Sequence, residues 1–412
     1  MYYITFNMTK IKPLNTAIKS IRLIKPELKS NLINELNDCL GQLDSILLLK
    51  NKTVLLKLSI FIKSQNYTQF NEIETTLTES LSAHFGSALP IVSFIPEPPA
   101  ENFHLVLEAT LFDNSLSDFH IDFYHAPQIS YYIIADHDFE EIYGVTADTN
   151  FNKNGVYTQT SNCFNEIDKI LQENGLTLAD FHRQWSYIGN INDFTDMNGK
   201  QFENYQQFNI SRARYYSKCE WENGFPAATG IGANIPGCTI EFLAGPAGTD
   251  TIIIPLHNPK QQDAHHYSEK YQVKEMTLFQ NDDHENTPKF ERGKIVINDN
   301  MMDVYISGTA AILGEDSINQ TISEQTEITL GNISELYSKA NLLAHGLEVD
   351  GVLPKFELLR VYIKNRDDYT IVQEICRNFY PEVPVLIVVA DVCRKELLVE
   401  IEAFANSTIE RV

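Results

Sequence analysis

One order of elements, strand then helix then strand then strand, occurs three times along this chain. That recurrence limits the possible folds more than any other feature, because a spacing repeated with matching punctuation marks an internal repeat. The last copy is the plainest. Leu359–Lys364 alternates like a strand, Tyr369–Phe379 has helical period, Val385–Val389 follows a Pro-containing turn, and Leu398–Ala405 closes the unit. The first copy has Leu56–Lys63, Tyr67–Phe85, Pro90–Phe94 and Leu105–Leu111 in the same order. The middle copy has Trp185–Ile188, Phe202–Lys218, Pro226–Thr229 and Thr239–Ala244. A further helix precedes each copy, over Leu32–Leu48, Cys163–Glu173 and Thr326–Leu343, and Asn174-Gly175 reads as a helix C-cap.

The expected class is α+β. The units divide as residues 1–113, 114–256 and 294–412, with a linker over 257–293. A chain of 412 residues, 43% hydrophobic, is long enough for several buried cores. Nothing approaches the ~20 apolar residues of a membrane span, and the N-terminus lacks a signal-peptide pattern. Six scattered cysteines without metal or redox spacing suit a reducing compartment. The expectation is therefore a cytoplasmic protein without membrane association. A net charge of −23 argues against a nucleic-acid partner. The first 63 residues are basic, with ten Lys/Arg against four Asp/Glu, and read as a solvated helix face.

Cys163–Leu176 and Glu400–Ala403 resemble the central helix and closing strand of the RidA/YjgF family. That resemblance implies three tandem RidA/YjgF-like (chorismate-mutase-like) units forming an intramolecular pseudo-trimer, with ligand clefts between neighbours. Aligning the closing strands places Glu400 beside Thr239 and Val106, so only one of the three clefts would hold a carboxylate there. Glu402, Glu241 and Glu108 recur in all copies and read as structural, facing the other side of the sheet from Glu400. RidA-type imine deaminases need an arginine where this chain has Val385 and Ala228, which weakens that activity.

The chorismatase family, built on the same fold, matches at more segments. They are Arg183–Ile188, Tyr205–Arg212, Pro226–Gly232, Asn258–Gln261, Ile306–Gly314, Ala390–Arg394 and Leu397–Glu402. Members cleave the enolpyruvyl ether of chorismate to pyruvate plus a hydroxybenzoate or a cyclohexadiene diol carboxylate. The resemblance implies a small-molecule carboxylate substrate and no cofactor. Vinyl ether cleavage needs a proton on the methylene carbon, hence a buried carboxylic acid of raised pKa, and Glu400 is the expected acid. Two substrate carboxylates call for cationic and hydroxyl donors. By their places in the matching segments and the linker, these are Arg212, Arg394, Tyr187, Thr229, Tyr267 and Tyr271. Cys393, seven residues before Glu400, resembles the hydroxybenzoate-forming members. Two departures stand out: Lys260 replaces an arginine, and Phe279-Gln280-Asn281 stands where an arginine usually follows the linker tyrosines.

Gly230-Ile231-Gly232 lies in an expected strand and precedes no helix, so it is not a dinucleotide fingerprint. Asp148–Gly155 has its glycine misplaced for a calcium loop. His265-His266 and the His120, His125, His137 group lack zinc spacing, so no metal is expected. Two other functions compete with catalysis. One is a non-catalytic RidA-like small-molecule binding protein. The other is a ribonuclease, which the acidic charge disfavours. The unit count implies a monomer that is its own trimer, with further oligomerisation open.

Overall fold

A computed structural model describes residues 8–49, 52–115, 119–136, 140–149, 155–197, 200–248, 251–268 and 287–412. Three large sheets carry the fold, and one connection occurs in each. The first sheet contains β1 (Lys19–Ile24), β2 (Thr53–Ile62), β3 (Ile91–Ile95) and β4 (Leu105–Asp113), in the order β1-β4-β2-β3. Strand β2 runs parallel to β3 and antiparallel to β4. A parallel pair needs a crossover, here helix α2 (Tyr67–Phe85), while α1 (Leu32–Leu48) precedes β2. Asn31 and Asn66 start these helices, each side chain accepting from the backbone N–H three residues on.

The second sheet adds β5 (His120–His125), β6 (Ile129–Ala135), β7 (Glu140–Asp148), β8 (Phe181–Gly189), β9 (Ala227–Ala233) and β10 (Cys238–Ala244). Here β8 is parallel to β9 and antiparallel to β10. Helix α3 (Val156–Glu173) precedes β8, and α4 (Asn204–Tyr216) links β8 to β9. Gly175 takes a φ of 73° just past α3, the left-handed turn a helix C-terminus requires. The third sheet holds β11 (Ile252–Leu256), β12 (Gly293–Asn298), β13 (Met301–Ala310), β14 (Phe356–Ile363), β15 (Val385–Val389) and β16 (Val399–Arg411). Again β14 is parallel to β15 and antiparallel to β16, with helix α7 (Tyr369–Phe379) between β14 and β15.

Three expectations need correction. The helix expected over Thr326–Leu343 is two helices, α5 (Ile322–Leu336) and α6 (Lys339–Ala344). The break falls where Ser338 caps α6 through the Asn341 N–H, a residue suited to start a helix and not to continue one. Residues 1–113 are not one unit, because Thr9–Pro13 pairs with β16 and Leu347–Val349 of the third sheet. Nor does the second unit run to 256, since β11 pairs with β12.

Where the three sheets meet, buried charges form a closed set. Lys57 of β2 bonds Glu241 of β10 at 2.7 Å. Arg183 of β8 bonds Glu402 of β16. Arg360 of β14 bonds Glu108 of β4 at 2.8 Å and Glu402 at 2.7 Å. Each cation sits on the middle strand of one sheet, and each pairs with the closing-strand glutamate of another. The Trp185 indole lies among them, donating to Glu402 at 3.1 Å with the Arg183 guanidinium 4.6 Å from its ring. The recurring glutamates thus hold the sheets together. Apolar clusters fill the space between each sheet and its helices.

Candidate active site

Helix α4 is unusual in being polar and almost wholly buried. Asn204, Gln207, Asn209, Ser211 and Arg212 all lie in its buried set. A helix covering an ordinary core would present an apolar stripe. Instead α4 forms one wall of a cavity of about 240 Å³. Tyr205, Gln206, Asn209 and Arg212 line it from α4, and Ala228 and Gly230 from β9. Gly308, Ala310, Cys393, Arg394 and Glu400 line it from the third sheet and its loops, and Tyr267, Phe290 and Arg292 from the intervening segment.

Glu400 is 5% exposed, and its carboxyl makes no hydrogen bond among the described residues. Burial raises its pKa to about 8, and the negative charge of Glu402 adds to the effect. Arg183 and Arg292 pull the other way without cancelling it. The carboxyl is thus largely protonated at pH 7. The expectation that Glu400 and Glu402 face opposite sides of the sheet is wrong. Residues two apart on a strand share a face, which is why one carboxylate raises the pKa of the other. They differ in surroundings. Glu402 meets Arg183, Arg360 and Trp185, while Glu400 opens onto the cavity.

Two buried arginines on the wall have no carboxylate partner among the described residues. Arg212 donates to Asn209 Oδ1 at 2.7 Å and lies 5.1 Å from the Phe208 ring centre. Its Nε is buried without a hydrogen bond. Arg292 donates to Gln262 O at 2.5 Å and to the Tyr267 hydroxyl at 2.6 Å, and its Nε is likewise unpartnered. Unpaired buried cations are costly, and an anionic ligand would offset that cost. Arg394 donates to Glu315 O at 2.9 Å and Ser317 Oγ at 3.0 Å, with its guanidinium 5.2 Å from the Tyr267 ring centre. Cys393 is a neutral wall residue, its thiol pushed up to about 12 by burial and by Glu400.

Two residues expected in the site lie elsewhere. Tyr187 is buried in the apolar cluster between the sheets, where its hydroxyl accepts from Arg360 at 3.1 Å. Thr229 points away from the cavity, accepting from Arg183 at 2.5 Å and donating to Glu402. Strand alternation explains Thr229, since its neighbours Ala228 and Gly230 face the cavity, whereas no residue of β8, the strand of Tyr187, lines it. Thr229 still positions the wall, since its hydroxyl accepts from the Gly308 N–H at 2.9 Å. Tyr271 and Phe279-Gln280-Asn281 lie outside the described residues. Lys260 is not in the cavity, pairing with Glu335 at 3.1 Å. Sequence reasoning missed Arg292 and Tyr205 as site residues. Tyr205 lay inside a quoted segment, but Arg292 carries no motif. It reaches the wall because the Glu291 N–H donates to Pro226 O at 3.0 Å, beside β9.

Gly308 sits at the register shift between β13 and β16, directly over Glu400. A Cβ there would overlap Glu400 Oε1 and lie 3.1 Å from Thr229 Cγ2. Gly308→Ala is therefore expected to displace the carboxyl and to lower by roughly 10²-fold any activity that depends on its placement, the scale set for a misplaced reacting group. Steady-state kinetics beside a thermal melt would show activity lost with the fold retained.

Comparison with known proteins decides the family. Residues 132–244 match the family described as "Chorismatase FkbO/Hyg5-like, N-terminal". A 3-hydroxybenzoate synthase of Streptomyces hygroscopicus is 32% identical over 256 residues, covering 60% of this chain and 69% of that protein. The chain belongs to the chorismatase family. A protein named chorismatase from the same organism is 31% identical over 223 residues, covering 53% of this chain and 60% of that protein. A chorismatase crystal structure aligns with a TM-score of 0.66 at 20% identity, over 94% of this chain and 98% of the other, which shows a shared fold. As a chorismatase-family member the chain is an enzyme, of mixed α+β fold. No helix among the described residues is long and apolar enough to cross a membrane.

Proposed function

We propose that this chorismatase-family enzyme cleaves the enolpyruvyl ether of chorismate, with Glu400 as the general acid. The observation that carries the reading is a buried carboxyl of raised pKa lining one cavity with two buried arginines that have no carboxylate partner among the described residues. Arg212 and Arg292 would hold the substrate's two carboxylates, with Tyr267 and Arg394 completing the wall. Glu400 would deliver its proton to the methylene carbon, turning CH2 into CH3 and leaving positive charge on the ether carbon and oxygen. The Glu400 carboxylate formed in that step stabilises this charge. Water adds to the cationic carbon to give a hemiketal, and the bond between that carbon and the ether oxygen breaks, releasing pyruvate and leaving the oxygen on the ring. Without water, the ring C–O bond breaks instead, and loss of a ring proton gives the hydroxybenzoate.

With water the second product is a cyclohexadiene diol carboxylate. Hydroxybenzoate needs no net water, since chorismate already contains the atoms of pyruvate plus hydroxybenzoate. Cys393 and the 32% identical 3-hydroxybenzoate synthase favour the hydroxybenzoate outcome. The thrice-repeated strand connection supports reading the chain as three RidA/YjgF-like units in an intramolecular pseudo-trimer. Its one working cleft lies between the second unit and the third, with the linker as a lateral wall. The other two positions, Val106 and Thr239, have no acid to give. The test is incubation of the purified protein with chorismate. Pyruvate is followed by coupled lactate dehydrogenase and the second product by chromatography. Equimolar pyruvate and a hydroxybenzoate are expected, whereas binding of chorismate without turnover would support a non-catalytic role.

A further inference from the structure

We propose that His257, Asp263 and Glu291 form a binding site for a divalent transition metal of the zinc class, separate from the catalytic cavity. The site fastens residues 257–267 to residues 287–292. His257 and Asp263 are six residues apart but Glu291 is distant in sequence, which is why no ligand spacing announces the three. Their donor atoms all lie within 4.8 Å of one another. His257 Nδ1 is 2.8 Å from Asp263 Oδ1 and 3.8 Å from Glu291 Oε2. Tetrahedral zinc with bonds of about 2.0–2.1 Å sets its donors roughly 3.3 Å apart, so these distances bracket what the ion needs.

A histidine–aspartate pair alone would not account for Glu291. That residue is 3% exposed; its Oε1 accepts from the Phe225 N–H at 3.0 Å. Its Oε2 is buried with no hydrogen bond and points toward His257. A buried carboxylate oxygen without a donor is expensive, and a cation between it and His257 removes that cost. Asp263 adds a second sign. It precedes the short helix Ala264–His266 but does not cap it, its carboxylate being turned to His257. His265 and His266 cluster with Asp263 separately from His257 and Glu291, so water would complete the coordination of the ion. Mixed imidazole and carboxylate donors suit zinc-class ions, whereas magnesium and calcium favour all-oxygen sets.

The position gives the site a consequence. Tyr267 directly follows His266, Arg292 directly follows Glu291, and the two side chains share a hydrogen bond of 2.6 Å on the cavity wall. A bound ion fixes both ends of that wall. The site stands whether or not the cavity cleaves chorismate, because its ligands are outside the catalytic set.

Calorimetric titration of chelator-stripped full-length protein with zinc chloride at neutral pH tests it, with cobalt chloride as a spectroscopic probe. One saturable equivalent is expected, together with the visible bands of low-symmetry cobalt. Glu291→Gln, which keeps the acceptor for Phe225, and His257→Asn should each weaken binding by at least about tenfold, the scale on which even outer-shell partners act. His120→Asn, remote from the cluster, should leave binding unchanged. Absence of saturable binding, or equal affinity in wild type and both cluster variants, overturns the site.

Discussion

Glu400→Gln is expected to lower kcat for pyruvate release by about 10²–10⁴-fold, the contribution of a general acid. Glutamine fills the same space and its amide remains neutral, so the cavity and the third sheet should be undisturbed. What disappears is a proton that can leave. An amide N–H cannot protonate carbon, and the Cys393 thiol, pushed up to about 12, is a poor substitute at neutral pH. KM should change little, because the proposed carboxylate anchors Arg212 and Arg292 are untouched. A variant with wild-type kcat would remove Glu400 from the chemistry.

The largest expected effect on stability is at Arg360. Arg360→Met should destabilise the fold by about 3–5 kcal/mol, the cost of removing one partner from a buried ion pair. The guanidinium is 4% exposed and holds two carboxylates, Glu108 and Glu402, from different sheets. Glu402 retains Arg183 and Trp185, but Glu108 is left as a buried charge with no other ion pair among the described residues. Arg360→Met combined with Glu108→Gln should recover part of the loss, since the orphaned charge is then gone. Denaturant unfolding of the two variants against wild type measures both effects. A single variant as stable as wild type would contradict the role given to the charge set.

The repeat was legible because each copy changes period from 2 to 3.6 and back in one order. Leu32–Leu48, Tyr67–Phe85, Tyr369–Phe379 and Val385–Val389 fall where the pattern puts them. Strand ends were less legible. β16 continues to Arg411 because Thr9–Pro13 and β13 supply partners that local pattern does not reveal. Asymmetry among the copies singled out Glu400, and the structure sets that side chain on the cavity. Tyr187 and Thr229 were named from their segments alone, and which face of β8 or β9 a side chain takes depends on register. Arg292 was invisible for the opposite reason. It sits in no quoted segment, and only the docking of Glu291 beside Pro226 carries it to the wall.

The most direct test of the account is the pH dependence of kcat/KM for pyruvate release from chorismate, which reports the acid in the free enzyme. The proposed chemistry needs the protonated form of Glu400, whose pKa is raised to about 8. Activity should be level through neutral pH and fall about tenfold per unit above pH 8, as the carboxyl ionises. Residual activity of Glu400→Gln should lack that limb. An activity that rises through pH 8, or that is already lost near pH 5 where an ordinary exposed carboxyl ionises, would contradict a buried proton donor.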